Sequence, residues 1–314
     1  FFLTNASVQF KDLQSEQYAE GIHLRDLNLD FGALMWDGAR MNAEFRSGSG
    51  REEKGFVLEK LEGNLQHAPG AWSFDGFKIH TAKNIAELSG RLEYDSLEVY
   101  GWQERLNWEV DVQDIQFDPT EYRVYFPDAF PPSLAKAVLR GSTQGHLGDF
   151  ETENFYFSYG GSTVIDGDVE IVGLPETDEL YISARKLYAK TSWRDLTRIQ
   201  RLVPELVLPE ELEPLEFITI SGSMEGYLND FSTNMTIRTA HGAVRANLDA
   251  DFPKGQPLEM KYKGQLRAMD WNLGKVLNAP EIGVVDFNLD VDGSGLTADL
   301  LNTNASGTIN TFEY

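Results

Sequence analysis

Residues 244–252 read VRANLDADF. Val244, Ala246, Leu248, Ala250 and Phe252 are apolar, and Arg245, Asn247, Asp249 and Asp251 between them are polar. Successive side chains of a β-strand point to opposite faces, so this run is a strand with one oily and one wet side. The pattern is that of a half-solvated antiparallel strand, not of a strand buried on both faces. It recurs in LNWEVDVQ (106–113), LEMKYKGQLR (258–267) and VVDFNLDVD (284–292). Turn signals punctuate the runs at Gly48-Ser49-Gly50, Gly160-Gly161, Pro253-Lys254-Gly255 and Asp292-Gly293. The expectation is an all-β chain of roughly fifteen to twenty strands.

Helical spacing interrupts the alternation twice. PSLAKAVL (132–139) suggests a short helix. SWRDLTRIQRL (192–202) suggests a better one, with Ser192 as N-cap and Asp195 as a first-turn acid. Trp193, Leu196, Ile199 and Leu202 form its apolar stripe, expected to plug or cap a sheet, and Pro204 stops it.

The 314 residues carry 27 Lys+Arg against 50 Asp+Glu, a net charge of −23. A phosphate backbone needs a basic surface, so nucleic acid is excluded as a natural partner. There is no cysteine, which removes disulfides, thiolate catalysis and Cys-based zinc sites and suits an oxidising compartment. No stretch approaches the roughly 18–20 apolar residues of a membrane span. The chain opens on Phe1-Phe2 and closes on residues 311–314 as an unfinished strand, so it is expected to be a fragment whose anchor and targeting signals lie elsewhere.

One phrase occurs twice. GSTQGHLGDF (141–150) and GSMEGYLNDF (222–231) share Gly, Ser, Gly, Leu, Asp and Phe at the same places. After each copy come a strand (154–159; 235–239), a turn at Gly160 or Gly242, and a returning strand (164–172; 244–252). A Pro-containing loop, a third strand (180–188; 258–269) and a segment led by Trp193 or Trp271 follow. An earlier, looser copy runs through 77–81, 86–94, 106–112 and 117–125. The expected organisation is one continuous groove over 1–314, in units 1–75, 76–140, 141–221, 222–290 and a partial 291–314. Units with one oily side must stack on or pair with their neighbours. Gly141/Gly222 and Gly145/Gly226 put no side chain on that oily side, which suits a bend or a close approach. Asp149/Asp230 and Phe150/Phe231 are expected as turn residue and anchor.

No constellation for chemistry stands out. His23, His67, His80, His146 and His241 show no metal-ligand spacing. DVDGSG (290–295) begins like a calcium loop, but its twelfth place is Leu301 where a bidentate Glu is needed. GSGREEKG (48–55) lacks the GK[ST] of a phosphate loop, and no GxSxG occurs. Sequons stand at Asn5, Asn234 and Asn304. Neither catalytic residues, metal ligands nor a cofactor site are nominated, and no enzymatic activity is expected.

What remains is the apolar face. It is expected to comprise Phe155, Phe157, Ile165, Val169, Ile171, Ile218, Ile220, Met224, Leu228, Ile237, Val244, Leu248, Met260, Tyr262, Leu266, Phe287, Leu289 and Val291. The face is either a closed core or a trough open to acyl chains, each buried CH₂ being worth about 0.8 kcal/mol.

Several stretches resemble the AsmA-like family, and within it the TamB (translocation and assembly module) proteins of Bacteroidetes type. They are FFLTNASV (1–8), KGFVLEKL (54–61), FKIHT (77–81), Phe126-Pro127, Leu139-Arg140-Gly141-Ser142 with Leu147, and Gly222 with Gly226 and Leu228. The likeness covers most of the chain and resembles the anchor-proximal part of such a protein. Neither the family's N-terminal membrane helix nor its C-terminal partner-binding domain is present. The resemblance implies an elongated, curled antiparallel sheet, a β-taco with a hydrophobic groove, built from repeats of about 80 residues. It implies a periplasmic bridge tethered to the inner membrane outside this segment, carrying phospholipid acyl chains. It also implies a link to outer-membrane protein assembly through a barrel partner of the TamA/BamA type. The readings that compete with it are a structural β-repeat scaffold or adhesin with a packed core, and a polysaccharide-active enzyme.

Overall fold

The computed structural model describes residues 1–10, 22–95, 106–175, 179–202, 208, 213, 215–253, 256–277, 281–295 and 299–314. The chain divides into two compact units, Phe1–Leu147 and Gly148–Tyr314. Both are all-β and antiparallel, as the alternation requires.

The first unit holds β1 (Phe2–Phe10), β2 (Ile22–Trp36), β3 (Met41–Glu52), β4 (Val57–Ala68), β5 (Ala71–Thr81), β6 (Ile85–Glu93), β7 (Asn107–Phe117) and β8 (Ala137–His146). Each strand pairs antiparallel with the next, giving an up-and-down meander. The second unit holds β9 (Asp149–Tyr159), β10 (Thr163–Val172), β11 (Tyr181–Ser192), β12 (Phe217–Tyr227), β13 (Asp230–Thr239), β14 (Gly242–Asp251), β15 (Lys261–Asn272), β16 (Val284–Ser294) and β17 (Asn302–Phe312). They pair in the same sequential way. Helix α1 (Trp193–Leu202) follows β11 and α2 (Leu273–Leu277) follows β15.

β-bulges interrupt the strict alternation of several strands. Asn5, Gly76, Asn154 and Asp270 have φ of 51°, 53°, 50° and 50°. Each is the second of two residues set against one on the neighbouring strand. That opposed residue accepts the N–H freed from the ladder. Asn28 Oδ1 takes it from Asn5 (3.0 Å), Ser89 Oγ from Gly76 (2.9 Å), Asp168 Oδ1 from Asn154 (3.0 Å) and Asp286 Oδ1 from Asp270 (2.6 Å). The extra residue shifts the alternation by one. In β9 the inward residues are therefore Phe150 and Thr152 before the bulge, and Phe155, Phe157 and Tyr159 after it.

The glycines of the second copy, Gly222 and Gly226, are points of close approach. A Cβ on Gly222, where φ is 148°, would lie 2.0 Å from Asn234 O and 2.8 Å from Met235 Cα of β13. Only a residue without Cβ lets the strands coil this tightly. Asp149 and Asp230 are the first residues of β9 and β13 rather than turn residues. The turn before β13 is Leu228-Asn229, closed by the Tyr227–Asp230 pair.

Two further expectations are corrected. Residues 132–139 form no helix: Ala137, Val138 and Leu139 already belong to β8, opposite Phe117, Gln116 and Ile115. A helix so short has little stability of its own, and pairing gives Leu139 a place beside Ile115. Residues 118–125 form turns rather than extending β7 beyond Phe117. Helix 192–202 is present as α1. Its expected stop at Pro204 and the turn at Lys254-Gly255 lie outside the described residues.

Gly222→Ala is expected to cost about 2 kcal/mol, an unfolding midpoint lower by about 4–8 °C in a unit of this size. Gly161→Ala, with nothing within 4 Å of the added Cβ, is the control and should move the midpoint by less than about 2 °C. Differential scanning calorimetry of the two variants reads the difference.

Candidate functional site: the apolar faces and their rims

Directly opposed residues share a face, so the register assembles the apolar surface of the second unit row by row. One row runs from β9 to β17 through Phe157, Ile165, Ala189, Ile220, Ile237, Val244, Ala268, Phe287 and Ile309. The next contains Leu187, Gly222, Met235, Ala246, Leu266, Leu289 and Gly307, with Phe155 opposite Gly167 at its start. A third contains Val169, Ala184, Met224, Thr233, Leu248, Gly264, Val291 and Ala305. A fourth runs through Phe150, Ile171, Ile182, Gly226, Phe231, Ala250, Tyr262, Gly293 and Thr303. Ile218 lies at the upper margin between Thr191 and Thr239. The reverse face is wet: Ser232, Asp249, Lys263, Asp292 and Asn304 oppose one another there.

The structure thus brings together all the residues expected on this face except Leu228 and Met260. Leu228 sits in the β12–β13 turn, 47% exposed, because β12 ends at Tyr227. Met260 precedes β15, just after a 3₁₀ turn at Pro257–Glu259, and its carbonyl receives the N–H of Gly295. Phe150, Leu187, Phe231 and Met235 belong to the face and were not foreseen. Phe150 and Leu187 lie across bulges, where simple parity fails.

The face is only partly covered: of the expected residues Val244 (8%), Tyr262 (9%) and Val291 (6%) are buried, Leu228 is exposed, and the others are half-buried. In a sandwich these inward side chains would be enclosed by the opposing sheet.

The first unit has the same construction. Phe45, Gly63, Phe77, Leu88, Val112 and Gly141 follow the same parity from β3 to β8. Rings meet along it, Phe31 and Phe45 tilted at 5.0 Å and Phe45 and Phe77 edge-to-face at 6.4 Å.

After β7, β11 and β15 the chain folds back over the turn of the preceding hairpin, capping one rim. In α1, Asp195 is 1% exposed. Its Oδ2 accepts the N–H groups of Gly161 (3.1 Å), Ser162 (2.8 Å) and Thr163 (3.2 Å) and the Ser162 hydroxyl (2.7 Å). Arg198 Nη1 stands 3.3 Å from Oδ1. Burial pushes this carboxyl up, but the Ser162, Gly161 and Thr163 bonds outweigh it and hold it below the usual range. Ser192 Oγ accepts the Asp195 N–H at 3.4 Å, the expected N-cap. In α2, Asn272 Oδ1 caps Lys275 N–H (3.1 Å) and the Asn272 N–H reaches His241 O (2.7 Å).

In the first unit the cap is residues 118–136. Thr81 Oγ1 and Asn84 Nδ2 both donate to Glu121 Oε2, and Asp118 N–H donates to Asn84 Oδ1 at 2.6 Å. The Tyr125 hydroxyl donates to Glu52 Oε2 and accepts from Phe56 N–H (3.1 Å). Burial, reinforced by that carboxylate, pushes Tyr125 up to about 12. Burial also opposes ionisation of Asp118, but Lys136 Nζ at 2.7 Å and Thr120 bring it down to about 2. Tyr122, Phe126 and Phe130 pack together beneath, with Tyr122 stacked on Phe117 at 5.9 Å.

The histidines are pieces of strand and turn chemistry. His23 meets Ser7 and Glu53, His67 meets Tyr94, and His80 meets Glu87. Of the calcium-like residues, Asp292 pairs with Lys263 at 2.9 Å. Among the described residues no group of three or more His, Cys, Asp or Glu could hold a metal ion. Comparison with protein-family models, curated proteins and solved structures finds no match to this chain.

The two caps make separable predictions. Asp195→Ala strands three N–H groups and Arg198 and is expected to destabilise the second unit by about 3 kcal/mol in urea titrations. Asp118 has a depressed carboxyl, so its contribution is present above pH about 4 and lost as pH falls towards 2. Asp118→Asn should therefore cost about 1–2 kcal/mol at pH 7, Lys136 being solvent-screened, and the gap to the parent should close near pH 2.

Proposed function

We propose that this protein is a lipid carrier of the AsmA-like, TamB type, conducting phospholipid between membranes along its apolar faces without catalysis. The observation that carries the reading is the half-exposed apolar face continuous across β9 to β17. An ordinary globular domain would bury such a surface, because a large exposed apolar area is costly in water. Strands lie about 4.8 Å apart, so nine of them make a strip roughly 38 Å long. A bilayer core two tails thick is about 30 Å, so the strip is longer than one acyl tail. Ten methylenes laid along it contribute about 8 kcal/mol. The polar reverse face keeps such a sheet in water while the tails stay dry.

On this reading the chain works in the periplasm, tethered to the inner membrane by a segment outside it, and serves outer-membrane biogenesis and protein assembly with a barrel partner. The sequence resemblance supports those parts.

Protein purified without detergent is expected to carry phospholipid, detected by organic extraction and mass spectrometry. Phe157→Lys, Ile220→Lys and Leu248→Lys should each lower the lipid at least about fivefold while far-UV dichroism is retained, since each site is half-exposed. Unfolding by all three substitutions, with no lipid in the parent, would point instead to a closed structural scaffold.

A further inference from the structure

The last three residues of β2, just before the β2–β3 turn at Asp37–Arg40, are apolar and exposed. Leu34, Met35 and Trp36 are 49%, 66% and 76% exposed. Among the described residues they form the longest run of consecutive exposed large apolar side chains. The register continues this run into a rim. Trp36 opposes Met41, then His67, Trp72, Leu92 and Trp108 follow strand by strand. Three tryptophans thus stand in one row where the hairpins turn. The polar tips of this row are engaged: Trp108 Nε1 donates to Thr143 Oγ1 (3.1 Å), and His67 Nε2 meets the Tyr94 hydroxyl (3.0 Å) while its ring lies 4.5 Å from Trp72. The row lies next to the one through Leu34, Ala43, Leu65 and Phe74, so the rim is continuous with the apolar face.

Among the described residues the charges at this rim are of both signs: Asp37 and Arg40 share the turn, Arg91 pairs with Glu93 at 2.7 Å, and Glu109 stands opposite Arg91. The protein as a whole carries −23. Indole rings prefer the headgroup level of a bilayer, where the ring is partly dry and the N–H wet. The acidity elsewhere repels anionic surfaces. We propose that this rim docks on the interface of a zwitterionic bilayer, with Leu34, Met35 and Trp36 inserted at headgroup depth, and that lipid passes there onto the apolar face. The passage of lipid rests on the function proposed above, and the docking does not.

The test is flotation of the full chain with phosphatidylcholine vesicles, together with quenching of tryptophan fluorescence by brominated acyl chains. The chain is expected to float and to be quenched. The triple substitution Leu34→Ser, Met35→Ser, Trp36→Ser should lower partitioning about tenfold with an unchanged thermal midpoint. Trp36→Phe alone should keep flotation but lose a large part of the quenching. Ile220→Lys should float like the parent even if it carries no lipid, which separates failure of docking from failure of the carrier reading. Three outcomes overturn the docking: no flotation of the parent, flotation that requires anionic lipid, or flotation indifferent to the triple substitution. Self-association of the parent, lost in the triple variant and without flotation, places a second copy on the rim and also overturns it.

Discussion

The cross-strand ladder governs this protein, because residues that oppose one another share a face and, within each unit, the rule passes from each strand to the next. One apolar residue in phase therefore commits its neighbours to the same side. A slip of one residue would turn a whole strand over and put Ile220 or Leu248 on the wet side. The bulges at Asn5, Gly76, Asn154 and Asp270 are local, chemically satisfied slips. Each hands its freed N–H to a side chain on the opposing strand, so the strand bends without an orphaned donor.

Among the described residues few large apolar side chains are fully buried, so little core holds the sheet. Its stability comes from backbone pairing, from same-face contacts between neighbouring strands, and from the caps at the rim. The most deeply buried side chain of α1 is accordingly a carboxylate, since Asp195 secures a glycine-rich turn through hydrogen bonds to its backbone. The acidic wet faces serve the same economy, since like charges discourage edge-to-edge association of so many strands.

The strand parity, the turn at Gly160, the N-cap of α1 and the close approach at Gly222 were legible in the sequence. Each depends on a few adjacent residues. Leu228 and Met260 were misplaced because parity does not say where a strand stops. Phe150 and Leu187 were missed because a bulge is set by the strand opposite. Residues 132–139 carry helical spacing in isolation, and the strand pairing of Ala137–Leu139 with β7 overrides it. Asp118, Glu121 and Tyr125 gave no signal, since their partners Lys136, Thr81, Asn84 and Glu52 are distant in the chain or unremarkable in type.

By itself, then, the sequence determined that this chain makes antiparallel strands with one oily side, because side-chain alternation is a property of each strand alone. Only the tertiary structure decided which oily residues meet, where the phase shifts, how the rims are closed and that the face stays half-exposed. Those features depend on pairings between strands and on what packs around each face, neither of which a single run such as VRANLDADF contains.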